Sequence, residues 1–218
     1  MESARLYSLA AQLGSDKEEE RLGAVHQLGA ASDHDRRAVP HLIRVLLNHE
    51  ESARIRGDAA ELLSLSGSRK AIEPLLRCSV DASAEVRFWC TFALGQIVRR
   101  PRKRRKPVAS IIRALEDRLE DGDCPNSRGD WWSVGLEALA MLHGSRSSRF
   151  PVERMFRETI LSVIKDPLGH RDQWRWADCY WVDSLADSPT EGQLLYEQAL
   201  QKICDAGFEP VRFGMHAD

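Results

Sequence analysis

Residues 85–97, "EVRFWCTFALGQI", decide the fold of this chain. The stretch has the composition of a buried helix, yet Arg87 stands near its start, between Val86 and Phe88. A charge at the head of an otherwise apolar helix is costly to bury unless it is paired. The same arrangement recurs elsewhere in the chain, and the recurrence explains the arginine.

Three copies of the pattern occur in the first half of the sequence. "RLGAVHQLG" begins at Arg21, "RGDAAELLS" at Arg56 and "RFWCTFALG" at Arg87, at spacings of 35 and 31 residues. Three positions after each arginine comes a small or thiol residue, and seven positions after it a leucine: Ala24, Ala59 and Cys90, then Leu28, Leu63 and Leu94. A fourth, degenerate copy, in "WWSVGLEALA", has Trp132, Gly135 and Leu139 in these three positions. Such a period indicates stacked units.

A proline marks the start of a second apolar helix after each copy. The four prolines follow the starts by 19, 18, 20 and 19 residues: Pro40, Pro74, Pro107 and Pro151. Proline is accepted in the first turn of a helix, because its missing N–H would have no partner there. Each unit is therefore predicted to be a hairpin of a helix A, beginning near the arginine, and a helix B, beginning near the proline. One hairpin cannot bury its apolar faces alone, so neighbours must stack.

In "AVPHLIRVL", "AIEPLLRC" and "EVRFWCTFALG" the sequence resembles HEAT-like repeats, in particular the short kind of the phycobilisome lyases. Residues 21–97 carry the resemblance, which extends weakly to about residue 165. It implies an all-α fold, an α-solenoid in which about four to five hairpins form a right-handed superhelix. In that family an acidic residue in the turn between repeats pairs with the helix-A arginine of its own or the next unit. Asp16, Glu51 and Asp81 stand in that position here.

The array is expected to occupy residues 1–165, with residues 1–14 as an N-terminal capping helix. Beyond residue 165 the register fades. Residues 166–218 are expected to form a degenerate C-terminal repeat or cap, followed by a tail. The terminal units of solenoids are commonly atypical, since they must cap the stack.

Composition narrows the class of protein. The 218 residues are 43% hydrophobic and 29% charged, as in ordinary soluble proteins. No apolar run approaches the roughly 18 to 20 residues that span a membrane, and the pattern of a secretory signal is missing. Five cysteines without a C-x-x-C pair indicate reduced thiols rather than a disulfide framework or a zinc site. A cytoplasmic protein with no cofactor and no metal is expected.

Residues 99–106, "RRPRKRRK", hold seven basic side chains in eight positions, although the whole chain has a net charge of −2. This basic loop falls between helices A and B of the third unit. It suits an anionic partner, either an acidic protein or a nucleic acid. A solvated turn at the C-terminal end of helix A, or docking onto the acidic remainder of the chain, stays open as an alternative. The candidate binding residues are Arg99, Arg100, Arg102, Lys103, Arg104, Arg105 and Lys106.

A second set of candidates lies on the B helices, which in HEAT-like folds usually line the concave surface. Its members are arginines that follow the prolines: Arg44, Arg77, Arg113, Arg154 and Arg157. A file of guanidiniums favours carboxylate or phosphate ligands, because the planar fork binds them bidentately. The alternative is a set of solvated ion pairs with nearby acids. Those acids are Glu73, Glu116, Asp117, Glu153 and Glu158.

Five of the six tryptophans lie beyond residue 130. Large aromatics anchor many interfaces, and Trp131 and Trp174 are expected to be the exposed ones, at the edges of irregular segments. The alternative is that the tryptophans seal the open end of the stack.

The expected function is a non-enzymatic scaffold or adaptor that binds a protein with an acidic surface through its concave face and the basic loop. Nucleic acid is the second choice of partner, and no membrane is expected. No P-loop, dinucleotide-binding glycine motif or nucleophile elbow occurs in the sequence. Two enzyme classes stay open. Trp181, Val182 and Asp183 look similar to a motif of HEAT-like DNA glycosylases for alkylated bases, with different spacing. A bilin lyase-like activity has repeat similarity alone behind it.

Overall fold

The computed structural model describes residues 3–32, 34–66, 68–99, 109–125, 132–145, 147–184 and 189–210. In these ranges the chain forms α-helices and one 3-10 helix, Arg69–Ala71, and no strand. The all-α expectation is confirmed. The helices are α1 Ser3–Gln12, α2 Glu18–Ser32, α3 Val39–Leu47, α4 Ala53–Ser66, α5 Ile72–Cys78, α6 Ala84–Arg99, α7 Ala109–Glu116, α8 Val134–Leu142, α9 Val152–Lys165, α10 Arg171–Ser184 and α11 Pro189–Asp205.

The helices follow one another in file, and each of the first three B helices packs on the A helix that comes after it: α3 on α4, α5 on α6 and α7 on α8. Helices α2, α4, α6 and α8 are the A helices, and each packs on the next. The B helices α3, α5 and α7 form a second layer in the same order. Helix α1 packs on α2, while α10 and α11 pack on α9. The fold is therefore an α-solenoid, as the repeats predict.

Each of the first three A helices begins three residues ahead of its arginine, so that Arg21, Arg56 and Arg87 lie in the first turn. The fourth copy departs from this register. Helix α8 begins at Val134, because the Ser133 hydroxyl accepts a hydrogen bond from the backbone N–H of Leu136 and caps the helix there. Trp132 thus precedes the helix instead of lying inside it.

The prolines occupy the starts of the B helices wherever they are described. Pro40 is the second residue of α3, Pro151 directly precedes α9, and Pro74 is the third residue of α5. Because the 3-10 helix leads directly into α5, Pro74 still lies where its missing N–H has little cost. Pro107 lies outside the described residues.

The core runs through the whole stack. The small residues and leucines of the first three copies are fully buried, as the repeat pattern predicts. Glycines let the A helices approach closely. A Cβ at Gly95 of α6 would lie 2.3 Å from Cγ of Met141 in α8, so the two helices could not pack at this distance around a larger residue. No helix in the described part of the chain is long and apolar enough to cross a membrane.

Candidate interaction surface

The helix-A arginines join successive repeats. Arg21 donates from Nε and Nη2 to the two carboxylate oxygens of Glu51, at 2.7 and 3.0 Å. Its Nη1 donates to the backbone carbonyls of Ser15 and Asp16. Glu51 lies in the turn just before α4, so this ion pair ties the first repeat to the second. Asp16, expected as a possible carboxylate partner, contributes its main-chain oxygen instead.

The second ion pair has the same form one repeat further on. Arg56 donates from both terminal nitrogens to the carboxylate of Asp81, which precedes α6, and from Nε to the carbonyl of Leu46 at 3.1 Å. Both side chains are 6% exposed. Burial acts most strongly and raises the pKa of Asp81, but the hydrogen bonds from Arg56 and from the Ser83 backbone N–H, with the charge of Arg56, together outweigh it, and the pKa lies below its ordinary value.

The third ion pair reaches the turn ahead of the fourth repeat. Arg87 donates to the two oxygens of Asp121 at 2.8 and 3.1 Å, to Asp123 at 2.5 Å, and to the carbonyls of Asp81 and Ala82. Burial acts most strongly and raises the pKa of Asp121, but the hydrogen bond and charge of Arg87, with the backbone N–H of Asp123, together outweigh it, so the pKa is lowered. In all three cases the carboxylate belongs to the turn before the following A helix. Acids of the inter-repeat turns do pair with helix-A arginines, as the resemblance implies, but each arginine belongs to the preceding repeat instead of the acid's own or the next one. We call these three contacts the arginine ladder.

The B-helix arginines are exposed, in contrast to those of the ladder. Arg44, Arg77 and Arg113 lie on α3, α5 and α7, and each follows two apolar residues, in "LIR", "LLR" and "IIR". Among the described residues, none accepts a hydrogen bond from any of these three guanidiniums. We call the three side chains the arginine row. Arg157 in "MFR" of α9 continues the pattern, but it is half-buried and has contacts of its own.

Most of the acids that could have paired with the B-helix arginines form ion pairs with other residues. Glu116 accepts hydrogen bonds from the Ser148 hydroxyl and the Arg149 backbone, and it forms an ion pair with the Arg149 guanidinium. Asp117 also pairs with Arg149, and Glu153 pairs with His143. The expected i,i+4 pair is found at one place, where Arg154 donates to Glu158 at 2.8 Å. Arg154 is therefore a member of a solvated pair and not of the row.

A groove runs beside the first arginine of the row. It has a volume of about 840 Å³ and lies between the end of α1 and the face of α3. Leu13, Ile43 and Leu47 line it, together with Arg44. The groove thus combines apolar side chains with the positive charge of Arg44, and it is also bordered by Glu51, whose carboxylate pairs with Arg21.

The basic loop is described only at its first residue. The Arg99 guanidinium donates to the carbonyl of Ala140 at 2.6 Å, so it ties the end of α6 to the end of α8. That carbonyl also accepts the backbone N–H of His143, so the guanidinium adds a second hydrogen bond at the C-terminal end of α8. The other candidates of the loop lie outside the described residues: Arg100, Arg102, Lys103, Arg104, Arg105 and Lys106.

The expectation that Trp174 is exposed is wrong. It is 2% exposed, and its ring stacks on Tyr196 of α11 at 5.9 Å between centroids. Trp176 is fully buried, and its indole N–H donates to the carbonyl of Leu136. Trp174 and Trp176 close the end of the stack, because Tyr196 of α11 covers the first and Phe156 of α9 packs against the second. Trp131 lies outside the described residues.

Glu137 is a buried carboxyl that the sequence analysis missed. It is 1% exposed, and one oxygen accepts the indole N–H of Trp132 at 2.7 Å. Burial raises its pKa to about 7, even though Trp132 and the charge of Arg99 lower it. The signal was present in the sequence, since Glu137 is the one ionisable residue of "VGLEALAML".

The described residues contain no cluster of three or more His, Cys, Asp or Glu side chains arranged to hold a metal ion. The side chains of Trp181, Val182 and Asp183, on which the glycosylase alternative depends, are outside the description.

Comparison with known families identifies the N-terminal part of the chain. The family model for HEAT repeats matches residues 6–95, the region of α1 to α6 that contains the arginine ladder. This region is similar to HEAT repeats. The HEAT match ends inside α6, before the basic loop and the fourth hairpin.

Two solved structures are similar to this chain over most of its length. An engineered protein matches with 17% identity over 94% of this chain and 98% of its own, at a TM-score of 0.47. The complex of CpcE and CpcF of phycocyanin lyase from Nostoc sp. PCC7120 matches with 16% identity over 89% of this chain and 94% of that chain, at a TM-score of 0.44. No curated protein matches the sequence.

Proposed function

We propose that this HEAT-repeat protein is a non-enzymatic adaptor whose B-helix face binds a protein with an acidic surface. The arginine row carries the proposal. Three guanidiniums on three neighbouring helices are exposed and engage no carboxylate among the described residues. Each of the first three repeats also contains a ladder arginine, and all three of these are paired. The guanidiniums of the arginine row are therefore available to bind a ligand.

A carboxylate ligand fits this face better than an apolar one. Guanidinium groups bind planar carboxylates bidentately, and rows of positive charge accelerate encounter with acidic partners. The basic loop at residues 99–106 would add to the same positive field, and its part in binding remains a prediction from the sequence.

The experiment compares three baits in affinity capture from cells that express the protein, in nuclease-treated extract at ~150 mM salt, where weak ionic contacts are screened. The baits are the wild type, a row variant (Arg44→Gln, Arg77→Gln, Arg113→Gln) and a matched variant (Arg36→Gln, Arg54→Gln, Arg69→Gln). The matched positions are exposed arginines without partners among the described residues, and none of them lies on α3, α5 or α7. Both variants lose three charges.

We expect the wild type and the matched variant to retain the same protein, and the row variant to lose it. Equal recovery on all three baits would show that the B-helix face is not the binding surface. Capture that disappears on nuclease treatment would favour the nucleic-acid alternative.

A further inference from the structure

The arginine row repeats at a regular interval set by the packing of the B helices. Helix α3 packs on α5, and α5 packs on α7. Packed helices have axes 8–10 Å apart, so positive charges recur about every 10 Å along this face. A partner that engages all three must present carboxylates on one side at the same interval.

The geometry of an α-helix meets that requirement. Seven residues of helix rise about 10.5 Å and return to nearly the same side, with a drift of only about 20°. An extended strand does not fit, because side chains three residues apart, about 10 Å, point to opposite faces.

Apolar side chains next to the row favour a two-sided helix over a purely acidic segment. Ile43 and Leu76, each directly before its arginine, are half-buried, and Ile43 also lines the groove beside Arg44. Leu13 and Leu47 complete the apolar part of that groove. A helix with acids at one heptad position and apolar residues beside them could cover both kinds of side chain at once.

Resting on the proposed function, we infer that the B-helix face binds an amphipathic acidic helix of a partner protein, laid along the array with one carboxylate per heptad. Each carboxylate meets one arginine of the row. An apolar side chain near one end of the helix enters the groove between α1 and α3.

The test uses synthetic helical peptides and fluorescence anisotropy. One peptide has three glutamates seven residues apart. A second has the same composition with glutamates five residues apart, which distributes them around the helix. A third has glutamine in place of glutamate at the heptad positions. Circular dichroism verifies that the three peptides are equally helical and that the row and matched variants melt like the wild type.

We expect the heptad peptide to bind the wild type and the matched variant roughly tenfold more tightly than the five-residue peptide, since three exposed ionic contacts are gained together. The row variant should lose that preference, and the glutamine peptide should bind all three proteins weakly.

The possible failures are distinguishable. If both glutamate peptides bind equally and both depend on the row, the acidic-partner proposal stands and the heptad inference is overturned. If neither depends on the row, both are overturned. Tighter binding of single-stranded RNA than of any peptide, with the same dependence on the row, would also overturn both.

Discussion

The first three repeats and the C-terminal hairpins are held together by different interactions. Between α2, α4 and α6 the repeats are joined by buried ion pairs, each between an arginine and the turn of the next repeat. Around α9 and α10 aromatic rings serve instead. Phe156 packs edge-on against Trp176 and Tyr180, with ring centroids 5.4 and 6.0 Å apart. The ring of His143 stacks on Phe156 as well.

The difference teaches that a repeat fold needs continuity of packing but not one kind of contact. The HEAT match ends at residue 95, shortly after the last arginine of the ladder. Trp132 then takes the place of the arginine: its indole N–H donates to the buried carboxyl of Glu137, and its ring packs edge-on against Tyr180 of α10. The stability that the ion pairs provide and the stability that the aromatic contacts provide should therefore respond differently to substitution and to pH.

The largest effect is expected in the aromatic region. Phe156→Ala should lower the free energy of unfolding by about 3–5 kcal/mol, because Phe156 is 1% exposed and its removal leaves a cavity. Chemical denaturation measures the change. Phe150→Ala, at a 40% exposed ring, is the matched control and should have a much smaller effect. Equal effects of the two substitutions would show that the aromatic joint does not hold the C-terminal hairpins.

An intermediate effect is expected in the ladder. Arg56→Ala should destabilise the protein by about 1–3 kcal/mol, because it leaves Asp81 and the carbonyl of Leu46 without their donor. Arg54→Ala, on the exposed side of the same helix, should change little. The measurement is the denaturation midpoint, and an unaltered midpoint in the Arg56 variant would refute the role of this contact.

The two regions should also respond oppositely to acid. The pKa of Glu137 is about 7 in the folded chain and near 4.5 when unfolded, so the folded protein binds more protons between these values. Glu137 therefore adds stability as the pH falls through this window. The ladder carboxyls Glu51, Asp81 and Asp121 have lowered pKa values, so their contribution is lost only below the ordinary carboxyl range.

Thermal melting of the wild type and Glu137→Gln, followed from about pH 8 to about pH 5, isolates the first effect. The wild type should lose stability relative to Glu137→Gln as the pH rises, because the buried carboxyl ionises whereas the amide stays neutral. Parallel pH profiles of the two proteins would contradict this assignment.

The smallest effect is expected where arginine is most exposed. The row variant should keep the melting temperature of the wild type, because substitutions of surface side chains without partners change stability by less than about 0.5 kcal/mol each. Three arginines of the row would then matter less to folding than one of the ladder. A loss comparable with that of Arg56→Ala would mean that the row has a structural role.

Much of the fold could be predicted because its signals are local and repeated. Arginine, small residue and leucine recur at fixed offsets, and the proline of each unit marks the second helix. Even the ladder followed from the resemblance, although the carboxylates of Asp121 and Asp123 were missed. They lie in a turn whose length departs from that of the earlier repeats.

The surface was harder to predict, because exposure depends on what packs from elsewhere in the chain. Trp174 has a polar sequence neighbourhood, but α11 covers it from 22 residues further along, through Tyr196. Similarly, the sequence placed Glu116 close to Arg113, whereas the chain before α9 supplies Arg149 as its partner. Contacts between residues so far apart in the sequence produce no periodic pattern from which they could be predicted.

The most direct test of the ladder is a double-mutant cycle on Arg87 and Asp121, whose side chains are 9% and 11% exposed. The unfolding free energies of the wild type, Arg87→Ala, Asp121→Ala and the double variant give the coupling between the two residues. A clamp between the third and fourth repeats predicts a favourable coupling of at least about 1 kcal/mol. A coupling indistinguishable from zero would contradict it, because the two residues would then contribute to stability independently.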